Sequence, residues 1–362
     1  MIIEDKYLVY DSNEKELLSK ALKEKKLSGT SESIEEYEKY LSHFFKTKFA
    51  IAVSSGTSAL HCALWSCGVK PGDEVIVSPA APIMSALPIL LMNAKPVFCD
   101  THENDFGFDL NDLKQKITGK TKAVMTVPIW GYPYETKEIV EFLDAKNIPF
   151  IEDAAQAHGS MIKEKYVGTF GRMGCFSTHD RKILPTGEGG FILTDNEADY
   201  SLIKSFIQFG YMKGKEFGLN YKLSALQAVL GMNRIKQILP QIRKRTKNAK
   251  TILDNISSAK IQELNIGLEG NPNYYSIVTR LNFSDNLRVI NDLAFKGIPS
   301  DILRYSFEPM YKKSLFSSYA SNCPNIEKLS KQITTIPCHP GLSEEQITYI
   351  IETINCMQKG EF

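Results

Sequence analysis

Charge of one sign is not in surplus: 43 lysines and arginines face 42 aspartates and glutamates, for a formal net charge of +1 at pH 7. That balance removes the basic field that a nucleic-acid partner asks for, and no basic run suggests a membrane surface. Long apolar runs are also missing. The longest, roughly residues 79–94, is interrupted by Pro82 and Pro88 and is too short to cross a bilayer. The opening MIIEDKYLVYDSNEKELL is charged early and has no apolar centre, so it does not read as a secretory signal. The seven cysteines (62, 67, 99, 175, 323, 338 and 356) include no CxxC pair. Reduced, buried thiols in a cytoplasmic protein are the expectation, and nothing in the spacing asks for a metal. There is no GxGxxG fingerprint for a nicotinamide dinucleotide and no Gly-Lys-Ser/Thr of a nucleotide-binding loop. Internal repeats and low-complexity tracts are absent.

What is present is an ordinary globular composition, 43% hydrophobic and 23% charged, in a chain of 362 residues. That length suits about two domains. Short runs rich in Val, Ile and Phe alternate with helix-length segments. The candidate strands are Phe49–Val53, Glu74–Ser78, Pro96–Cys99, Lys122–Val127, Pro149–Glu152, Gly174–Ser177 and Gly190–Thr194. Ser58–Cys67, Asn111–Ile117 and Thr136–Lys146 read as crossover helices. The alternation predicts an α/β fold with a mostly parallel seven-stranded sheet covered on both faces. Residues 196–253 read as mainly helical, with a turn near Lys213–Asn220. Beyond them come a strand at Tyr275–Leu281 and helices at Leu287–Phe295 and Ser343–Thr353, the last with Ser343 as N-cap. These predict a large domain over residues 1–240 and a smaller α+β domain over residues 241–362.

Three segments carry candidate chemistry. Ser54-Ser55-Gly56-Thr57-Ser58 lies between a strand and a helix, where backbone N–H groups and the helix dipole form a phosphate site; a simple N-cap is the equal alternative. Asp153 ends a strand, where open α/β sheets place ligands. If a helical turn begins there, Gln156 shares its face. A cationic ring nitrogen paired with Asp153 would hold that carboxyl below its usual range, and Gln156 could donate to a nearby oxygen. A capping Asp with a surface Gln is the plainer alternative, and His158 reads as structural. In Ser177-Thr178-His179-Asp180-Arg181-Lys182, a strand delivers Ser177 and a short polar loop delivers Lys182 ahead of a Gly-rich return. A desolvated lysine there can attack a carbonyl, although most lysines are surface charges. Arg181 is a phosphate or carboxylate clamp by type. A fourth segment, Gly218–Ser224, alone says only loop and cap. Together, a phosphate cup, an acid for a pyridinium and a nucleophilic lysine are what a protein must supply to pyridoxal 5'-phosphate.

At this level of detail the chain resembles the DegT/DnrJ/EryC1/StrS family of pyridoxal-phosphate-dependent sugar aminotransferases. The likeness runs from LSGTSESIEEYE through SSGTSALHCAL, GVKPGDEVIV, IEDAAQAHGS, VGTFGRMGCFSTHDRKILPTGEGGFILTD and LNYKLSALQAVLG to IPCHPGLSEEQITYII. It implies the aspartate aminotransferase fold, fold type I. It places the Schiff-base lysine on Lys182, the pyridine-nitrogen partner on Asp153, and the ring-hydroxyl partner on Gln156. Phosphate contacts fall on Gly56, Thr57 and Ser177. Asn220 matches a residue that reaches the phosphate of a neighbouring subunit, which implies a homodimer. Lysine at 182, where dehydratase relatives carry histidine, favours transamination.

The expected reaction is a ping-pong transfer from glutamate or glutamine to a nucleotide-linked keto sugar, with Lys182 moving the proton. Departures from the family pattern occur at Pro82, where an aromatic usually covers the ring, and at Asp180, Arg181 and Ile183 around the lysine. They motivate a rival acceptor, a small phosphorylated ketone or a cyclitol ketone. A non-catalytic cofactor-binding regulator is the reading from another class.

Overall fold

The computed structural model describes residues 1–5, 7–8, 11–267 and 269–357. Two helices, α1 (Glu14–Glu24) and α2 (Glu32–Phe45), precede a sheet of seven strands. In chain order these are β1 (Phe49–Val53), β2 (Glu74–Val77), β3 (Lys95–Phe98), β4 (Thr121–Thr126), β5 (Phe150–Asp153), β6 (Met173–Ser177) and β7 (Gly190–Thr194). Their spatial order is β1-β7-β6-β5-β4-β2-β3. The pairs β6-β5, β5-β4, β4-β2 and β2-β3 are parallel, whereas β7 runs antiparallel to both β1 and β6. The seven expected strands are therefore present. The reversed direction of β7 was not legible, because hydrophobic periodicity carries no sense of direction. Strands buried on both faces read as continuous apolar runs, and β5 and β7 are buried at every position.

Helices α3 (Gly56–Ser66), α4 (Ile83–Leu91), α5 (Leu110–Lys116), α6 (Lys137–Asp144) and α7 (Glu197–Phe206) connect and cover the strands. Helix α4 lies in a run to which the sequence reading gave no secondary structure. The run broken by Pro82 and Pro88 is helical, with Pro82 at its N-cap and Pro88 inside it. Proline is tolerated at a helix start, where no intrahelical N–H bond is lost, while Pro88 leaves one donor out of the ladder. Under the sheet, the buried rings of Phe176 and Phe191 stack at 4.5 Å, with Phe45 5.0 and 5.6 Å from them. His158 meets the same two rings edge-on and is fully buried, in keeping with a structural role.

The chain then forms α8 (Ala225–Arg234) and α9 (Ile238–Asp254), joined by one short helical turn at Ile235–Gln237. A second sheet, antiparallel and three-stranded, follows from β8 (Ile261–Glu263), β9 (Ile277–Leu281) and β10 (Ile333–Ile336), in the order β8-β9-β10. It packs with α10 (Asn286–Phe295), α11 (Asp301–Arg304), α12 (Pro324–Leu329) and α13 (Glu344–Cys356). Ser343 caps α13 as expected, accepting from Gln346 N at 3.1 Å, with the reciprocal bond from Ser343 N to the Gln346 side chain at 3.0 Å. The N-terminal segment also docks here: Ile3 N donates to Gly297 O at 2.8 Å, and Tyr7 stacks on His339 at 5.9 Å. Six cysteines are buried, but Cys356 at the end of α13 is exposed, contrary to the expectation for all seven. Among the described residues, no helix is long and apolar enough to cross a membrane.

Candidate active site

The carboxyl ends of β4, β5 and β6 and the N-terminus of α3 converge on one cavity of about 290 Å³. At one end lies the turn after β1. Ser55 caps α3, its Oγ accepting from Ser58 N at 3.0 Å, and Gly56 and Thr57 form the first helical turn. Gly56 has to be glycine for a packing reason: a Cβ there would come within 2.7 Å of the Ser177 Cβ. The turn thus sits directly against the end of β6, and Ser55, Gly56, Thr57 and Ser177 line the same wall. Backbone donors at a helix start together with three hydroxyls make an anion cup.

On the floor, Asp153 ends β5 and is 6% exposed. Ser85 Oγ donates to one of its oxygens at 2.6 Å and Ala155 N to the other at 3.2 Å. Burial holds the carboxyl above its usual range, with the Ser85 and Ala155 bonds and the Lys182 charge acting in the opposite direction. The expected lowering requires a cation paired to it, and these surroundings without one favour the neutral acid. Ser85 was not singled out from sequence. Its signal is that it is a buried hydroxyl in the otherwise apolar helix IMSALPILL.

No helical turn follows β5. Ala157 N donates to Ala154 O at 2.9 Å and Ser160 N to Ala157 O at 3.0 Å, giving two successive turns. Gln156 lines the cavity all the same. Its Oε1 accepts from Trp130 N at 2.5 Å, which leaves the amide donors for the cavity. Asn273 fixes this loop by donating to Gln156 O at 2.9 Å and His158 O at 3.1 Å.

Lys182 sits in the connection between β6 and β7. That connection is bonded across itself: Thr178 N to Gly189 O, Thr186 N to Thr178 O, and Lys182 N to His179 O. Gly189 takes φ +138°, and a Cβ there would strike Thr178 Oγ1 at 2.5 Å, so the Gly-rich return is sterically required. Two helices grip the main chain beyond the lysine. Gln241 Nε2 donates to Ile183 O at 3.0 Å and Arg234 Nη1 to Pro185 O at 2.9 Å. Arg234 is itself held by Glu14 through two bonds of 2.6 Å, all buried. Tyr275 also lines the cavity, with Lys182 Nζ 5.6 Å from its ring centre, and Arg245 Nη1 fixes that residue by donating to Tyr275 O at 3.1 Å. Arg234, Gln241, Arg245 and Tyr275 come from distant sequence and carried no local signal.

Burial pulls the Lys182 ammonium down to about 8, while Asp153 and Asp301 act to raise it. A lysine in water titrates near about 10.4, and only the neutral amine attacks a carbonyl. In the cofactor-free protein, the rate at which Lys182 captures pyridoxal phosphate is therefore expected to rise with pH through about 8 and to level off above it. Stopped-flow absorbance from pH 6 to 11 (a range of about five units spanning both values) checks this. A midpoint near that of free lysine would show that the pocket does not activate the amine.

Of the expected site residues, Gly56, Thr57, Asp153, Gln156, Ser177 and Lys182 share the cavity and Asn220 does not. Asn220 is exposed, and its Oδ1 accepts from Lys222 Nζ at 2.5 Å. Pro82 and the exposed Met84 stand at the cavity wall, the former where an aromatic was looked for.

Residues 9–355 match the DegT/DnrJ/EryC1/StrS aminotransferase family. The chain is 33% identical over 349 residues to the GDP-perosamine synthase of Escherichia coli O157:H7, covering 94% of each. It is 28% identical over 363 residues to the UDP-4-amino-4,6-dideoxy-N-acetyl-beta-L-altrosamine transaminase of Campylobacter jejuni, covering 95% of this chain and 94% of the other. The solved structure of an aminotransferase from Psychrobacter cryohalolentis superposes with a TM-score of 0.90 at 26% identity, covering 97% and 98% of the two chains.

Proposed function

The chain belongs to the DegT/DnrJ/EryC1/StrS aminotransferase family and is a fold type I, pyridoxal-phosphate-dependent transaminase; from that premise we propose that it aminates a nucleotide-linked keto sugar, with glutamate or glutamine as donor in a ping-pong cycle. The observation that carries this reading is the shared cavity. It sets a lysine pulled down to about 8 and a buried carboxyl beside a helix-start anion cup. Two relatives bear names of enzymes of GDP- and UDP-linked amino sugars, which supports a nucleotide-linked acceptor.

The residues fit the cofactor. Asp153 is a buried carboxyl whose surroundings disfavour its charge, so a protonated ring nitrogen would supply the missing cation. Ser55, Gly56, Thr57 and Ser177 offer donors for a phosphate, and Gln156 offers amide donors for a ring oxygen. Once bound, pyridoxal phosphate supplies the aldehyde that takes up the amine and the ring that draws electrons from the carbon losing its proton. Lys182 Nζ takes the proton from the donor's α-carbon and returns one to the acceptor carbon as general base and acid. Ser85 and Ala155 N fix the Asp153 carboxylate. Tyr275, Pro82 and Met84 narrow the space from which water enters.

We assign residues 1–240 to the cofactor domain and 241–362 to the smaller one. Asn220 lies outside the cavity of its own chain, and we place it at the site of a second copy. Sedimentation that returns the mass of one chain would remove that assignment. To test the reaction, the purified enzyme is given glutamate or glutamine with a panel of nucleotide keto sugars, and separately with small keto phosphates and cyclitol ketones. Turnover confined to the nucleotide sugars is expected. Turnover confined to the small ketones would overturn the acceptor.

A further inference from the structure

The loop that delivers Lys182 also delivers Arg181. Among the described residues lining the catalytic cavity, Arg181 supplies the single guanidinium. It opens equally onto a narrow adjoining cavity of about 30 Å³ that Asp5, Tyr275 and Asp301 also line. In this structure Arg181 Nη1 meets Asp5 Oδ2 at 3.0 Å, and the same Asp5 oxygen pairs with Arg304 of α11. One carboxylate thus serves two guanidinium groups at the mouth of the site. Of the other acids nearby, Asp301 accepts from Trp130 Nε1 at 3.1 Å and is held by burial above the usual carboxylate range, and Glu188, which also lines the catalytic cavity, lies 3.9 Å from His179. Arg181 is thus the guanidinium beside the reacting lysine, and its present partner is a carboxylate it shares with Arg304.

An α-amino acid donor bears a carboxylate on the carbon that loses its proton to Lys182. That carboxylate needs a cation beside the lysine, and Lys182 itself is committed to the cofactor and to proton transfer. Resting on the glutamate or glutamine reading above, we propose that Arg181 binds the α-carboxylate of the amino donor, and that Asp5 is the internal carboxylate that holds this subsite until the donor displaces it. Displacement is cheap, because Asp5 keeps its pairing with Arg304 when it gives up Arg181. A carboxylate left with no cation would oppose it. The N-terminal segment stays anchored meanwhile by Ile3 N to Gly297 O and by Glu4 O, which accepts from His339 Nε2 at 2.7 Å. Only the Asp5 side chain has to move.

The test uses the cofactor-loaded enzyme and glutarate, a dicarboxylate that has neither amine nor ketone and so cannot react. Calorimetry measures its binding to the wild type, Arg181→Met and Asp5→Asn. Arg181→Met is expected to weaken glutarate about ten- to hundredfold, the loss that goes with one charge-assisted hydrogen-bonded pair. Asp5→Asn removes the competitor and is expected to tighten it about two- to fivefold, the scale of a part-exposed ion pair. Opposite signs from two partners of one ion pair are not what a merely structural bridge would give. Unchanged glutarate binding in Arg181→Met, or weakened binding in Asp5→Asn, overturns the proposal. So does a loss confined to GDP and UDP binding, which would assign the guanidinium to the acceptor. A wild type that binds glutarate but draws no amine from glutamate or glutamine overturns the donor reading instead.

Discussion

Lys182→Ala protein is expected to bind pyridoxal phosphate without attaching it, and to lose transamination by on the order of 10²–10⁴-fold, to the limit of detection. In the proposed reaction the side chain performs two tasks that no other lysine among the described residues lining the cavity could take over: it attacks the cofactor aldehyde, and it moves the proton at the donor and acceptor carbons. The other lysine near the cup, Lys222, donates its Nζ to Asn220 at 2.5 Å and does not line the cavity. The substitution leaves the main-chain grips of Gln241 and Arg234 intact, since both hold carbonyls. The fold and the phosphate cup should therefore survive, and equilibrium dialysis should still find bound cofactor. Borohydride reduction followed by digestion gives the complementary measurement on the wild type. A modified peptide other than the one containing Lys182 would refute the assignment.

Asp153→Asn should separate attachment from catalysis. Lys182 still captures the aldehyde, but the amide cannot hold the ring nitrogen protonated, and turnover falls by about 10²–10³-fold, the scale on which a preorganised charge acts on a transition state. Stability should move the other way. Burial already holds the Asp153 carboxyl above its usual range, so its ionised form is a cost to the cofactor-free fold. The cofactor-free variant is expected to melt at the wild-type temperature or above it. Single-turnover absorbance with glutamate, set beside calorimetric melting, reads both. A half-reaction within about fivefold of wild type, far short of the expected electrostatic loss, would show that Asp153 does not set the charge of the ring.

These two residues were legible in sequence because each stands at or just beyond the end of a short apolar strand. An acidic residue after Phe-Ile-Glu and a lysine a few residues past Cys-Phe-Ser stand out against runs that are buried on both faces. Turn chemistry gave Gly56 for the same reason, although its particular cause, contact with the Ser177 side chain, exists only once β1 and β6 are brought together by β7. What stayed hidden was long-range or non-periodic. The hydroxyl of Ser85 lies 68 residues from the carboxylate it serves. Tyr275 arrives from beyond α9, and the pair Glu14–Arg234 spans 220 residues. The prolines in α4 masked a helix that packing sustains. The turns after β5 bring Gln156 to the cavity without helical spacing.

The way the lysine loop is held has a consequence for how such an enzyme changes. Gln241 and Arg234 grasp carbonyl oxygens at 183 and 185, and the loop closes on itself through the main chain of 178, 186 and 189. None of these bonds consults the side chains at 180 and 181. The loop that carries the reactive amine is thus anchored through main-chain carbonyls and amides, so substitutions at the mouth can change which ligands meet the lysine without removing those anchors. A library randomised at those two positions, with 183–189 left untouched, would sample donor preference on a scaffold that continues to load its cofactor.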